Sequence, residues 1–147
     1  PFIDTDEAIE QRCGADIPWI FDVEGESGFR EREHKVLNEL CESDDAVIAT
    51  GGGIVMREDN RSLIQDCGFV VYLHATIAQQ LSRTGKDRKR PLLDTDDPRE
   101  VLTSLMTIRE PLYRQLAQIV VNTDSRNPRV TANTAFKQLQ SLLSPEA

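Results

Sequence analysis

Short apolar runs alternate along the chain with longer segments whose apolar residues recur every three or four positions, the pattern of strands feeding helices. Phe2-Ile3 closes a strand that delivers Asp4-Thr5-Asp6. Thr5 or Asp6 caps a short helix carrying Ala8 and Ile9, and Gly14 ends it. Asp16 before Pro18 is a cap and first-turn pair for Trp19-Ile20-Phe21. A helix from Ser27 to Cys41 gathers Phe29, Val36, Leu37 and Leu40 on one face and turns Glu31, Arg32, Glu39 and Glu42 outward. Ala46–Thr50 reads as a buried strand running into Gly51-Gly52-Gly53, and a helix follows from Asp59 to Asp66, stopping at Gly68. Phe69–Leu73 is β-branched and aromatic, too continuous for an exposed edge.

Thr76 caps a helix to about Arg83, and a polar, basic stretch without apolar periodicity follows. Pro98 opens a helix to Arg109 that Pro111 disrupts or restarts. Ile119–Asn122 is the last strand, and Asn127-Pro128 starts a final helix with an apolar stripe of Val130, Phe136, Leu139 and Leu143. Strands alternating with helices predict an α/β fold, a parallel sheet flanked by helices. The 147 residues suit one domain, 1–147, with residues 84–97 as the candidate mobile loop.

Charge and cysteine usage narrow the function classes. A net charge of −8 argues against a nucleic-acid or anionic-membrane surface, so an anionic small molecule would need arginines gathered in one place. Cys13, Cys41 and Cys67 form no CxxC pair, and His34 and His74 are the only histidines, which argues against a zinc site or disulfide framework. Scattered thiols fit a reducing cytoplasm. No run approaches a membrane span, and the first residues lack the form of a signal peptide.

Asp4-Thr5-Asp6 ends a strand, where open parallel sheets bind ligands. Two carboxylates there can hold a magnesium-linked water, accept hydroxyl hydrogen bonds or act as a general base; helix capping is the plainer alternative. Gly51-Gly52-Gly53 lets backbone N–H groups approach a ligand, the alternative being a flexible turn. It is not a phosphate loop, since Ile54-Val55-Met56 follows where a Gly-x-x-x-x-Gly-Lys-[Ser/Thr] run needs its lysine. Arg30, Arg83, Arg90, Arg109 and Arg126 stand at element borders. Each alone reads as a solvated charge, while together they suit carboxylate and phosphate groups. Trp19, Phe29 and Tyr113 read as core or pocket wall, and neither histidine takes a catalytic role.

The set Asp4-Thr-Asp6, Gly25-Glu26-x-x-Phe29-Arg30-x-x-Glu33, Gly51-Gly-Gly, Val70-Val-Tyr-Leu73, Arg90-Pro-Leu-Leu93 and Arg109-x-Pro-Leu-Tyr113 resembles the shikimate kinases in order and spacing, almost to the C-terminus. The resemblance implies a P-loop kinase fold and transfer of the γ-phosphoryl group of ATP to the 3-hydroxyl of shikimate, with magnesium, on the way to aromatic amino acids. It casts Asp6, Arg30, Gly51, Gly52, Gly53 and Arg109 as the shikimate set, with Arg30 and Arg109 on the carboxylate. Asp6 holds a ring hydroxyl and takes its proton, Asp4 reaches magnesium through water, and Glu33 orients Arg30. Residues 84–97 become the lid, whose Arg90 covers the phosphates, and Arg83 and Arg126 flank the adenine. The expected partners are shikimate and ATP, the expected state a monomer.

One departure is large. Family members carry a strand, a loop ending Gly-Lys-[Ser/Thr] and a helix before the position of Phe2; Gly85-Lys86 is followed by Asp87. The chain is therefore expected to be a truncated member, without the first strand and P-loop, impaired in phosphoryl transfer and marginal in folding. A related small-molecule kinase, such as a gluconate kinase, and a non-catalytic shikimate- or partner-binding module are the alternatives.

Overall fold

The computed structural model describes residues 1–85, 90–124 and 127–144. Four short strands, β1 (Phe2–Asp4), β2 (Val47–Ala49), β3 (Val71–His74) and β4 (Ile119–Asn122), alternate with six helices: α1 (Thr5–Cys13), α2 (Ile17–Cys41), α3 (Glu58–Cys67), α4 (Ile77–Thr84), α5 (Pro98–Leu116) and α6 (Pro128–Leu143). β1 pairs with β2 and β3 with β4, both in parallel, with Asp4 opposite Ala49 and His74 opposite Asn122. Parallel pairing aligns carboxyl ends, so the residues after β1 and those after β2 emerge at one edge. That places Asp4–Asp6 beside Gly51–Gly53.

The helix ends follow from local chemistry. Asp4 caps α1, its Oδ1 accepting from the backbone N–H of Asp6 at 2.8 Å and of Glu7 at 3.2 Å, and Gly14 closes the helix in the left-handed conformation. The cap thus falls at Asp4, one residue before Thr5 and two before Asp6, the expected positions, and this leaves the Asp6 side chain available for other work. Asp16 caps α2 ahead of Pro18, and α2 bends at Gly25, whose φ of 72° interrupts the helical backbone before the Phe29 face begins. Thr76 and Gln79 form a capping box on α4. Asn127 caps α6 ahead of Pro128.

Two apolar clusters hold the helices. Ala8, Ile9, Ile17, Ile20, Phe29, Val36 and Leu40 join α1 to α2 over β1, while Leu37, Ile54, Val55 and Leu116 join α2, the turn after β2, and α5. Pro111 does not break α5, which runs unbroken to Leu116: a proline removes one N–H, and the flanking bonds carry the helix past it. Burial departs from expectation in the second half of the chain. β3 pairs only with β4 among the described residues, leaving Leu73 55% and Phe69 54% exposed. Val130, Phe136 and Leu143 of α6 are likewise exposed, because α6 packs mainly on β4 and little else covers its stripe. Trp19 is half exposed rather than core. Among the described residues no helix is long and apolar enough to cross a membrane.

Candidate active site

The three glycines after β2 mark where the polar groups meet. A methyl added at Gly51 would lie 3.3 Å from Asp6 Oδ1 and 3.5 Å from Glu33 Oε1. At Gly52 it would lie 2.8 Å from the Tyr113 hydroxyl and 3.5 Å from Arg109 Nη1, and at Gly53 it would collide with the Arg30 guanidinium. The absence of side chains is therefore a packing requirement of the Tyr113 hydroxyl at Gly52 and of the Arg30 guanidinium at Gly53. Asp6 comes from the first turn of α1, Arg30 and Glu33 from α2, Arg109 and Tyr113 from successive turns of α5.

Arg30 is held on two sides. Its Nη1 donates to Glu33 Oε2 at 2.9 Å and its Nη2 to Glu26 Oε1 at 3.3 Å, and its guanidinium lies 5.2 Å from the centre of the Phe29 ring. Tyr113 donates its hydroxyl proton to the Gly52 carbonyl at 2.5 Å, and Arg109 lies near enough for its charge to act on the same hydroxyl. Its ring stacks 4.9 Å from Tyr72, which fixes it at the floor of the turn. Asn60 braces the same turn from below: its Nδ2 donates to the Ile54 carbonyl at 2.9 Å, and its Oδ1 lies 2.6 Å from His34 Nδ1, which must then carry a proton.

Among the described residues, three buried polar atoms at this cleft have no hydrogen-bond partner: Asp6 Oδ1, Glu33 Oε1 and Arg109 Nε. Buried polar groups are nearly always satisfied, so such a cluster marks a place prepared for a ligand. Burial raises the Asp6 carboxyl above its usual range and Asp4 adds to the effect, while Arg90 and Arg30 oppose it. Burial also raises Glu33, against the pull of Arg30, which is both a charge and a hydrogen-bond donor to it. Three guanidinium groups, those of Arg30, Arg90 and Arg109, act on two reluctant carboxylates. The cleft gathers arginines in a chain of net charge −8.

Those features bring together Asp6, Arg30, Gly51, Gly52, Gly53 and Arg109, with Arg90 near enough for its charge to act on Asp6. Arg83 stands apart on α4. Its Nη1 donates to Thr123 Oγ1 at 2.8 Å and its Nη2 to the Thr123 carbonyl at 2.6 Å, beside a cavity of about 350 Å³ lined by Ala78, Gln79, Ser82, Arg83 and Asp124. Arg126 lies outside the described residues, as do residues 86–89 of the 84–97 segment. Sequence reasoning missed the Tyr113 hydroxyl and Asn60; the Arg109-x-x-x-Tyr113 spacing, one helical turn, was the available signal for the first.

Residues 1–140 match the family model described as shikimate kinase. The chain belongs to the shikimate kinase family. A shikimate kinase of Pseudomonas paraeruginosa is 55% identical over 141 residues, covering 96% of this chain and 82% of that protein. One of Pseudomonas syringae pv. tomato is 56% identical over 142 residues, 97% and 83% of the two chains. Among solved structures, shikimate kinase from Acinetobacter baumannii in complex with shikimate superposes with a TM-score of 0.90 at 44% identity, over 99% of this chain and 79% of that one. Shikimate kinase from Aquifex aeolicus gives 0.83 at 31%, over 97% and 83%. The α/β kinase fold and the phosphotransferase class follow, with ATP as the phosphoryl donor.

Proposed function

We propose that the cleft at Gly51–Gly53 takes shikimate and that the chemistry is transfer of the γ-phosphoryl group of ATP to its 3-hydroxyl, in aromatic amino acid biosynthesis. The supporting observation is the meeting of Asp6, Arg30 and Arg109 around one glycine turn. Arg30 and Arg109 hold the substrate carboxylate, for which a planar fork is suited. Glu33 fixes the Arg30 fork from behind, and Tyr113 sets the height of the turn through the Gly52 carbonyl. Asp6 accepts a ring hydroxyl on its unpartnered Oδ1 and takes the proton as the phosphoryl group arrives. Its raised pKa makes it a stronger base than an exposed aspartate.

Arg90 opens the turn Pro91–Leu93 and stabilises charge on the transferring group, with residues 84–97 acting as the lid. Arg83 and Arg126 flank the adenine, the first at the cavity beside Thr123. Asp4 suits magnesium held through water: its Oδ1 is taken up by the α1 cap, leaving Oδ2 for a water. Asp4 would hold magnesium through that water, and the ion would supply positive charge against the phosphate oxygens. The protein acts as a monomer in this reading, and the three unbridged thiols support the cytoplasm.

These 147 residues contain no Gly-x-x-x-x-Gly-Lys-[Ser/Thr] run, which favours, for this polypeptide as it stands, shikimate binding over turnover. Titration calorimetry with shikimate, gluconate and ATP separates the readings. Shikimate binding that exceeds gluconate binding supports the proposed site, and ATP binding separates a kinase from a binding module. Tighter binding of gluconate would assign the cleft to another small-molecule kinase.

A further inference from the structure

α2 ends at Cys41 and α3 ends at Cys67. Cys41 Sγ lies 4.0 Å from the Leu63 carbonyl oxygen, the group that accepts the backbone N–H of Cys67 one helical turn later. A helical side chain leans back toward the N-terminus of its helix, so the Cys67 side chain projects over the Leu63 turn where the Cys41 thiol already sits. Cys67 is near enough for its thiol to act on that of Cys41. Cys67 is exposed, whereas Cys41 is partly buried against the cluster that includes Leu63 and Ile64. Cys13 belongs to the other cluster, on α1.

We propose that Cys41 and Cys67 form a dithiol that a hydroperoxide converts into an intramolecular disulfide, tying the C-terminal ends of α2 and α3. Exposure gives Cys67 the first step. Its thiolate attacks the peroxide and the O–O bond breaks; the departing hydroxide or alkoxide takes up the proton the thiol had released and leaves as water or an alcohol, and Cys67 becomes a sulfenic acid. The Cys41 sulfur then attacks the Cys67 sulfur; the S–O bond breaks and the Cys41 proton departs with the hydroxide as a second water. The two thiols lose two electrons and the peroxide gains them. Burial and the neighbouring Cys67 push the Cys41 thiol up to about 12, which leaves the first attack to Cys67; Cys41 gives up its proton only as it attacks the Cys67 sulfur. The bridge closes the stretch that carries β2 and Gly51–Gly53, fixing both ends of the segment that forms the cleft.

The test treats the reduced full chain with a small excess of hydrogen peroxide, alkylates the remaining thiols and digests without reduction. Tryptic peptides 36–57 and 62–83 should appear joined, with a mass about 2 Da below their sum, while Cys13 in peptide 13–30 is alkylated. In C41S, dimedone should trap a sulfenic acid at Cys67; in C67S, Cys41 should stay alkylatable. Thermal melting of the oxidised chain should rise relative to the reduced chain. Recovery of Cys41 as a free thiol beside a sulfinic or sulfonic Cys67, or cross-linking through Cys67 to a second copy, would overturn the proposal.

Discussion

Asp6 Oδ1 and Glu33 Oε1 converge on the same point beside Gly51, 3.3 Å and 3.5 Å from where a side chain there would begin, and neither has a hydrogen-bond partner among the described residues. Burial raises both carboxyls; the charge of Asp6 raises Glu33 further, and that of Asp4 raises Asp6 further. Two acids held this way lose more by ionising in the folded chain than in the unfolded one. Above the ordinary values of 3.8 and 4.5 the folded chain retains protons that the unfolded chain has released. From these groups, stability is greatest below those values and falls as pH rises through the raised folded-state values. Urea unfolding between about pH 4 and pH 7 should show D6N with a flatter decline than the parent. An identical pH profile in D6N would show that the Asp6 carboxyl ionises as freely in the folded chain as in the unfolded one.

Gly53 carries the Arg30 guanidinium against its backbone, so G53A should displace that arginine. Overpacking costs about 1–3 kcal/mol, and loss of the arginine's placement should weaken shikimate binding roughly 10-fold or more. Gly68 has open space around it and serves as the control: G68A should bind shikimate as the parent does. Equal affinities for G53A and the parent would remove Arg30 from the site.

Asn60 is wholly buried, and its amide satisfies the Ile54 carbonyl beneath the glycine turn. N60A should cost about 1–3 kcal/mol in urea unfolding, by orphaning a buried carbonyl and the proton on His34 Nδ1 together. A change within experimental error would show that water fills the gap.

Much of this was legible in the sequence where one residue type has one local use. Asp16 with Pro18, Thr76 and Asn127 with Pro128 each capped the helix expected of it, because a cap depends on a few neighbouring backbone groups. The α/β class followed from alternation alone. Burial was harder to read. Phe69-Val-Val-Tyr-Leu73 has the composition of an interior strand, yet Leu73 is exposed, since burial depends on which elements lie alongside and not on the run itself. Glu33 illustrates the converse. It stands among Glu31, Arg32 and His34, but it lies three, four and seven residues before Val36, Leu37 and Leu40, and its side chain is only 1% exposed. A charge on the apolar stripe of a helix was the signal for a built ion pair.

The edges of β2 and β3 that face away from their partners meet no other strand among the described residues, and Val47 and Leu73 beside them are exposed. These 147 residues should therefore unfold in urea with a shallow transition, below the m-value usual for about 150 residues. A coupled assay with ATP and shikimate should show little turnover by the same polypeptide. A steep, cooperative transition together with ordinary turnover would contradict both expectations.

The central claim is that one cleft holds a carboxylated ring between Arg30 and Arg109, and shikimate titration of the parent chain and R109A tests it most directly. The parent should bind and R109A should bind about 10- to 100-fold more weakly, the loss of a charged hydrogen-bonding group worth about 1.5–3 kcal/mol. With the methyl ester of shikimate, which lacks the anionic carboxylate, the difference between the two proteins should largely vanish. Absence of shikimate binding by the parent, or equal binding by R109A, would contradict the account.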